Sequence, residues 1–143
     1  MTTAYSRTLP NPLHSILLAF PLALFASAVI TDIAYLNTAE IQWSNFSAWL
    51  IAGGLFMGGI VLLWAIIAFF ANRAQTTSGR PLTYLLLLAA MWVIGFINAL
   101  LHSRDAGYSV TPTAMVLSIV VAVLALVAAW IGYSGFIRRE EVR

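Results

Sequence analysis

The sequence predicts an all-α integral membrane protein, a four-transmembrane-helix antiparallel bundle with both termini cytoplasmic. Three observations carry this expectation. Of 143 residues, 62% are apolar and only 8% charged, whereas a soluble domain runs about 45–50% apolar and about 25% charged. Four apolar stretches each reach the roughly 20 residues that a bilayer-crossing helix needs. The arginines sort to one side of those stretches. A soluble domain of this length could not hide so much apolar surface, and the composition also excludes disorder and nucleic-acid binding. All seven basic residues are Arg and there are five acids, for a net charge of +2. The absence of cysteine excludes disulfides, thiolate metal sites, iron–sulfur ligation and a cysteine nucleophile.

The expected spans are Pro12–Leu36, Ala48–Ala71, Pro81–Leu101 and Pro112–Ile137, forming one membrane domain over residues 1–143 with three short connections and two short tails. The first span opens on Asn11-Pro12, with Asn as cap and Pro in the first turn, where its missing N–H costs nothing. Pro21 is expected to kink it. Arg7, the apolar run and Ala26-Ser27-Ala28 resemble a signal peptide, but the run continues through Val29 and Ile30, so an uncleaved helix is expected. Tyr35, Trp43 and Trp49 mark a membrane interface. The second span carries Gly54 and Gly58, a small-xxx-small pair. The polar run Gln75 to Gly79 reads as a loop, and Arg80-Pro81 opens the third span. Thr111-Pro112 opens the fourth, which carries Ala114, Ser118 and Ala122 at a spacing of four. These small-residue faces predict close packing, within one bundle or along a homo-oligomer seam.

Orientation follows from charge. Arg7, Arg73, Arg80, Arg138, Arg139 and Arg143 fall on the side of both termini, and Arg104 falls on the other. The positive-inside rule then places both termini in the cytoplasm of a bacterial inner membrane.

A carboxylate at membrane depth costs about 2.5–3.5 kcal/mol at a helix centre, so Asp32 needs a partner. The outer end gathers Asp32, Tyr35, Asn98, His102, Arg104 and Asp105, with Asn98, His102 and Asp105 at i, i+4, i+7 on one helix face. The bland reading is an ion-pair and hydrogen-bond cluster, with Arg104 on Asp32 or Asp105. The sharper reading is a ligand site for a quinone headgroup. Nothing fixes the spacing of metal ligands from separate helices, so no metal is assigned. His14 sits at the inner end with Arg73, Arg80 and Tyr133 as expected company, either as a structural group or in ligand or proton handling. The two histidines lie at opposite ends, roughly 30 Å apart along the helices, so a bis-His haem within one chain is not expected. There is no Gly-x-Ser-x-Gly, His-Glu-x-x-His or phosphate-loop motif, and the chain is not expected to be an enzyme on its own.

Asn11-Pro12-Leu13-His14, Phe20-Pro21-Leu22 and Asp32 resemble the opening pattern of a bacterial membrane family, domain of unknown function 2231. The later stretches Asn98 to Asp105, Pro112, Leu117-Ser118 and Trp130-Ile131-Gly132 resemble it too, over nearly the whole chain. The family's usual opening has a His where this chain has Asn11 and a Pro where it has Ser15, so any role needing both opening histidines does not transfer. The resemblance implies a four-helix membrane protein of a family whose members sometimes accompany redox modules. With the polar outer end, it gives the leading expectation, a non-catalytic membrane subunit or anchor of a redox assembly, able to hold quinone at the outer face, with a periplasmic oxidoreductase or another membrane subunit as partner. The alternatives are a small homo-oligomeric channel or transporter, and a purely structural assembly protein.

Overall fold

In a computed structural model, residues 3–8, 10–72, 79–103 and 110–141 are described, with backbone alone for 3–8 and 136–141. Four helices account for most of them. These are α1 (Pro12–Thr38), α2 (Ile41–Ala71), α3 (Arg80–His102) and α4 (Pro112–Tyr133). All four are long and apolar enough to cross a membrane.

Local chemistry sets the helix starts. The Asn11 side chain accepts from the backbone N–H of Leu13 at 2.9 Å and His14 at 3.4 Å, and Thr111 accepts from Ala114 at 3.2 Å. Both caps satisfy donors that a helix start leaves open. α1 runs through Pro21 without a break.

Beyond shifts of one or two residues at the ends of α1 and α3, three features differ from the sequence expectation. α2 starts at Ile41, not Ala48, and only Ala39 and Glu40 separate it from α1. Ala39 makes the reversal with a left-handed φ of 56° while its N–H bonds the Tyr35 carbonyl at 2.7 Å. Gln42, Ser44, Asn45 and Ser47 look like loop residues, yet they extend the helix because Ser44 and Ser47 continue its buried stripe. α4 stops at Tyr133 rather than Ile137, because Gly135 takes a φ of 69° and Ser134 Oγ bonds the Trp130 carbonyl at 2.6 Å. The third difference concerns the tails. β1 (Thr3–Thr8) and β2 (Phe136–Glu141) pair antiparallel, Thr3 opposite Glu141 and Thr8 opposite Phe136. Their chains leave the bundle side by side, since Tyr133 Oη donates to the Ser15 carbonyl at 3.2 Å.

Each helix buries a narrow stripe. On α3 the buried residues are Tyr84, Leu88, Met91, Gly95, Asn98 and His102. Their spacing alternates four and three, the seven-residue repeat of left-handed helix packing. Leu18, Phe25, Ile51, Val61, Leu88, Met91 and Val121 fill the interior at 2% exposure or less. The outer surface is apolar, with Trp49, Phe56 and Trp130 each more than 70% exposed. A surface of that kind is covered by lipid in a membrane protein.

Small residues let the helices approach. A Cβ at Gly54 would meet the Phe25 ring at 2.8 Å, and one at Gly58 would meet Met91 Cε at 3.2 Å. Ala114 and Ser118 are buried and Ala122 is partly buried. Gly54, Gly58, Ala114 and Ser118 therefore face the interior of this one chain.

Candidate functional site

The ends of α1 and α3 meet the starts of α2 and α4, and Asp32 lies at that junction with no exposed surface. Ser47 Oγ on α2 donates to Asp32 Oδ1 at 2.5 Å. Ser118 Oγ on α4 donates to Oδ2 at 2.5 Å. His102 Nε2 on α3 lies 3.0 Å from Oδ1. Each of the other three helices thus contributes one group to a single carboxyl. Asn98 Nδ2 donates to Ser118 Oγ at 2.8 Å and extends the network.

Proton positions follow from the partners. His102 Nδ1 lies 3.0 Å from the Asn98 backbone carbonyl. A carbonyl only accepts, so Nδ1 carries a hydrogen. One further proton then lies between Nε2 and Asp32 Oδ1. On either atom the pair has zero net charge, and that is how a carboxyl can be buried at this depth. The Ser118 hydrogen points to Asp32, so its oxygen accepts from Asn98, which must turn its amide nitrogen that way. Asn98 Oδ1 consequently faces away and has no partner.

Asp32, Asn98 and His102 come together as the sequence suggested, but through partners it did not. Tyr35 lies one turn on, partly buried, and is not among the groups that bond Asp32. Arg104 and Asp105 lie outside the described residues. The sequence reading gives Ser118 a packing role and starts the second span at Ala48, just past Ser47. Their signal was the stripe itself, since Ser44, Ser47, Ile51, Gly54 and Gly58 keep one face of α2, and Ala114, Ser118, Val121 and Ala125 keep one face of α4. Among the described residues no group of three His, Cys, Asp or Glu side chains converges.

His14 lies at the far end of the bundle. Its partner is Tyr84, with Nε2 2.8 Å from the Tyr84 hydroxyl. Tyr133 bonds the neighbouring Ser15 carbonyl instead of His14. Arg80 is exposed at the start of α3, and Arg73 lies outside the described residues. Since Tyr84 precedes His102 by eighteen residues on α3, the two imidazoles are about 27 Å apart along the bundle.

Four long apolar helices, an apolar outer surface and buried polar groups tied across helices define a multi-pass membrane protein. The chain belongs to the family described as predicted membrane protein, domain of unknown function 2231, whose model matches residues 10–138. No curated protein and no solved structure matches it.

Proposed function

We propose that this chain is a non-catalytic membrane subunit, or anchor, of a redox assembly in the bacterial inner membrane. The four helices cross the bilayer antiparallel with both termini cytoplasmic, because six of seven arginines belong to that side. The Asp32 end then faces outward, where a periplasmic oxidoreductase docks. The observation that supports this reading is the junction of all four helices on one Asp32–His102 pair of zero net charge. It fixes the outward ends relative to one another and gives a partner a rigid platform.

The same geometry favours an anchor over a quinone site at that end. Asp32, Asn98 and His102 are no more than 5% exposed. A quinone carbonyl needs a donor, and the Ser47, Ser118 and His102 donors are all directed at groups of the network. Channel and transporter readings lose the feature that motivated them, because Gly54, Gly58, Ala114 and Ser118 pack inside the chain.

The test is purification of the tagged chain from its native membrane in mild detergent, followed by native mass spectrometry and a redox assay of what accompanies it. The anchor role predicts a stoichiometric oxidoreductase that detaches from Asp32→Ala but stays with Asp32→Asn. A bare monomer, or a homo-oligomer alone, overturns it.

A further inference from the structure

β1 and β2 form a ribbon at the bundle end opposite Asp32, and among the described residues the sheet stops at these two strands. A two-stranded ribbon is at best marginally stable in water, and each strand keeps one edge of unpaired N–H and C=O groups. The register places every charged residue of β2 opposite an uncharged residue of β1. Arg138 is opposite Ser6, Arg139 opposite Tyr5, Glu140 opposite Ala4 and Glu141 opposite Thr3. The ribbon itself therefore supplies β2 with no cross-strand charge match. Charges usually protect an edge strand, because a run of one sign repels its own copy. Arg138-Arg139-Glu140-Glu141 changes sign at its middle, so read antiparallel it is its own complement.

We infer that the free edge of β2 pairs antiparallel with β2 of a second copy of this chain, giving a four-stranded sheet of order β1-β2-β2-β1 shared by two bundles. Two-fold symmetry, the commonest in homo-oligomers, puts one residue opposite its own copy and so limits the register. Centred on Arg139, the strands overlap over residues 137–141, and Arg138 of each copy is opposite Glu140 of the other. Each Arg139 then has Glu141 of the other copy on one diagonal. Centred on Glu140, the overlap shrinks to residues 139–141, and centred on Arg138, no arginine is opposite a glutamate. Charge and overlap together select the Arg139 register. Copies that share a membrane are related by an axis along its normal, so the shared sheet lies parallel to the membrane surface. The inference does not rest on the anchor reading.

The experiment is disulfide cross-linking of the full, cysteine-free chain in native membranes. Directly opposite residues of an antiparallel pair have Cβ atoms about 4.5–5.5 Å apart, close to disulfide range. Arg139→Cys should therefore give a covalent dimer on mild oxidation. Ile137→Cys and Glu141→Cys should stay largely monomeric, because in this register residue 137 is opposite residue 141. In the Arg139→Cys background, Arg138→Glu or Glu140→Arg should cut the dimer by about tenfold, since the symmetry applies each repulsion twice. The two reversals together should recover it. Neither reversal alters a charged pair between β1 and β2, where Ser6 and Ala4 are the opposite residues. If Arg139→Cys stays monomeric, if all three positions cross-link alike, or if the double reversal does not recover the dimer, the inference fails. A linked band of another mass would place a foreign strand on this edge and overturns it too. A homodimer without an oxidoreductase upholds this inference and counts against the anchor reading alone.

Discussion

Replacing Asp32 by alanine or by asparagine separates hydrogen bonding from charge at the junction of the bundle. Alanine removes the acceptor of Ser47, Ser118 and His102 together. Interhelical hydrogen bonds in membranes average about 0.6 kcal/mol with a maximum of about 1.7, so three are worth about 2 and at most about 5 kcal/mol. The lower part of that range is expected, because the Ser47 hydroxyl can turn to the Ala28 carbonyl, already 3.4 Å away. Asparagine is nearly isosteric, and its groups fit. Its amide nitrogen donates one hydrogen to the bare Nε2 of neutral His102, whose Nδ1 hydrogen stays on the Asn98 carbonyl, and the other to Ser47 Oγ, whose own hydrogen turns to the Ala28 carbonyl. Its oxygen accepts from Ser118. Asp32→Asn should therefore cost less than about 1 kcal/mol, the net worth of a single hydrogen bond. The assay is reversible unfolding in mixed detergent followed by far-ultraviolet circular dichroism. If asparagine is as destabilising as alanine, or if alanine costs nothing, the hydrogen-bond reasoning is refuted.

Gly54→Ala should destabilise by about 1–3 kcal/mol in the same assay, because its Cβ would enter the Phe25 ring at 2.8 Å. Gly53→Ala, whose Cβ meets only Leu24 Cδ1 at 3.4 Å, should be neutral or stabilise by up to about 1 kcal/mol. Trp92→Phe removes the bond from Trp92 Nε1 to the Leu55 carbonyl at 3.1 Å and should cost about 0.6–1.7 kcal/mol. For orientation, single cysteines at Thr77 and Gly107 of this cysteine-free chain should be labelled by a membrane-impermeant maleimide on intact spheroplasts only at 107. The reverse pattern would invert the proposed topology.

Most of the architecture was legible because the bilayer imposes length and polarity on whole segments. Four apolar runs gave four helices, and Asn11-Pro12 and Thr111-Pro112 marked two of their starts to the residue. The start of α2 was not legible by polarity alone. Ser44 and Ser47 are polar for the interior of the bundle, and a hydropathy reading treats them as water-facing. The end of α4 was readable from Gly135, a left-handed stop that the apolar run through Ile137 masked. Within the site, Asp32, Asn98 and His102 stood out because charge and amide are costly in lipid. Ser118 did not, because a serine at a four-residue spacing from alanines is equally a packing residue. It turns out to serve both purposes, small enough for α4 to approach α3 and a donor to Asp32. His14 was conspicuous, but its partner was not, since nothing along the chain ties residue 14 to residue 84.

The most direct test of the Asp32 junction is a nitrogen-15 spectrum of imidazole-labelled chain in mild detergent, a simple one because only His14 and His102 contribute. The account predicts that His102 keeps its hydrogen on Nδ1 and shares a second with Asp32 at Nε2. In Asp32→Asn, Nε2 should become a bare acceptor while Nδ1 is unchanged. A His102 protonated at Nε2 alone, with Nδ1 bare, or an imidazole insensitive to the Asp32 substitution, would contradict the junction.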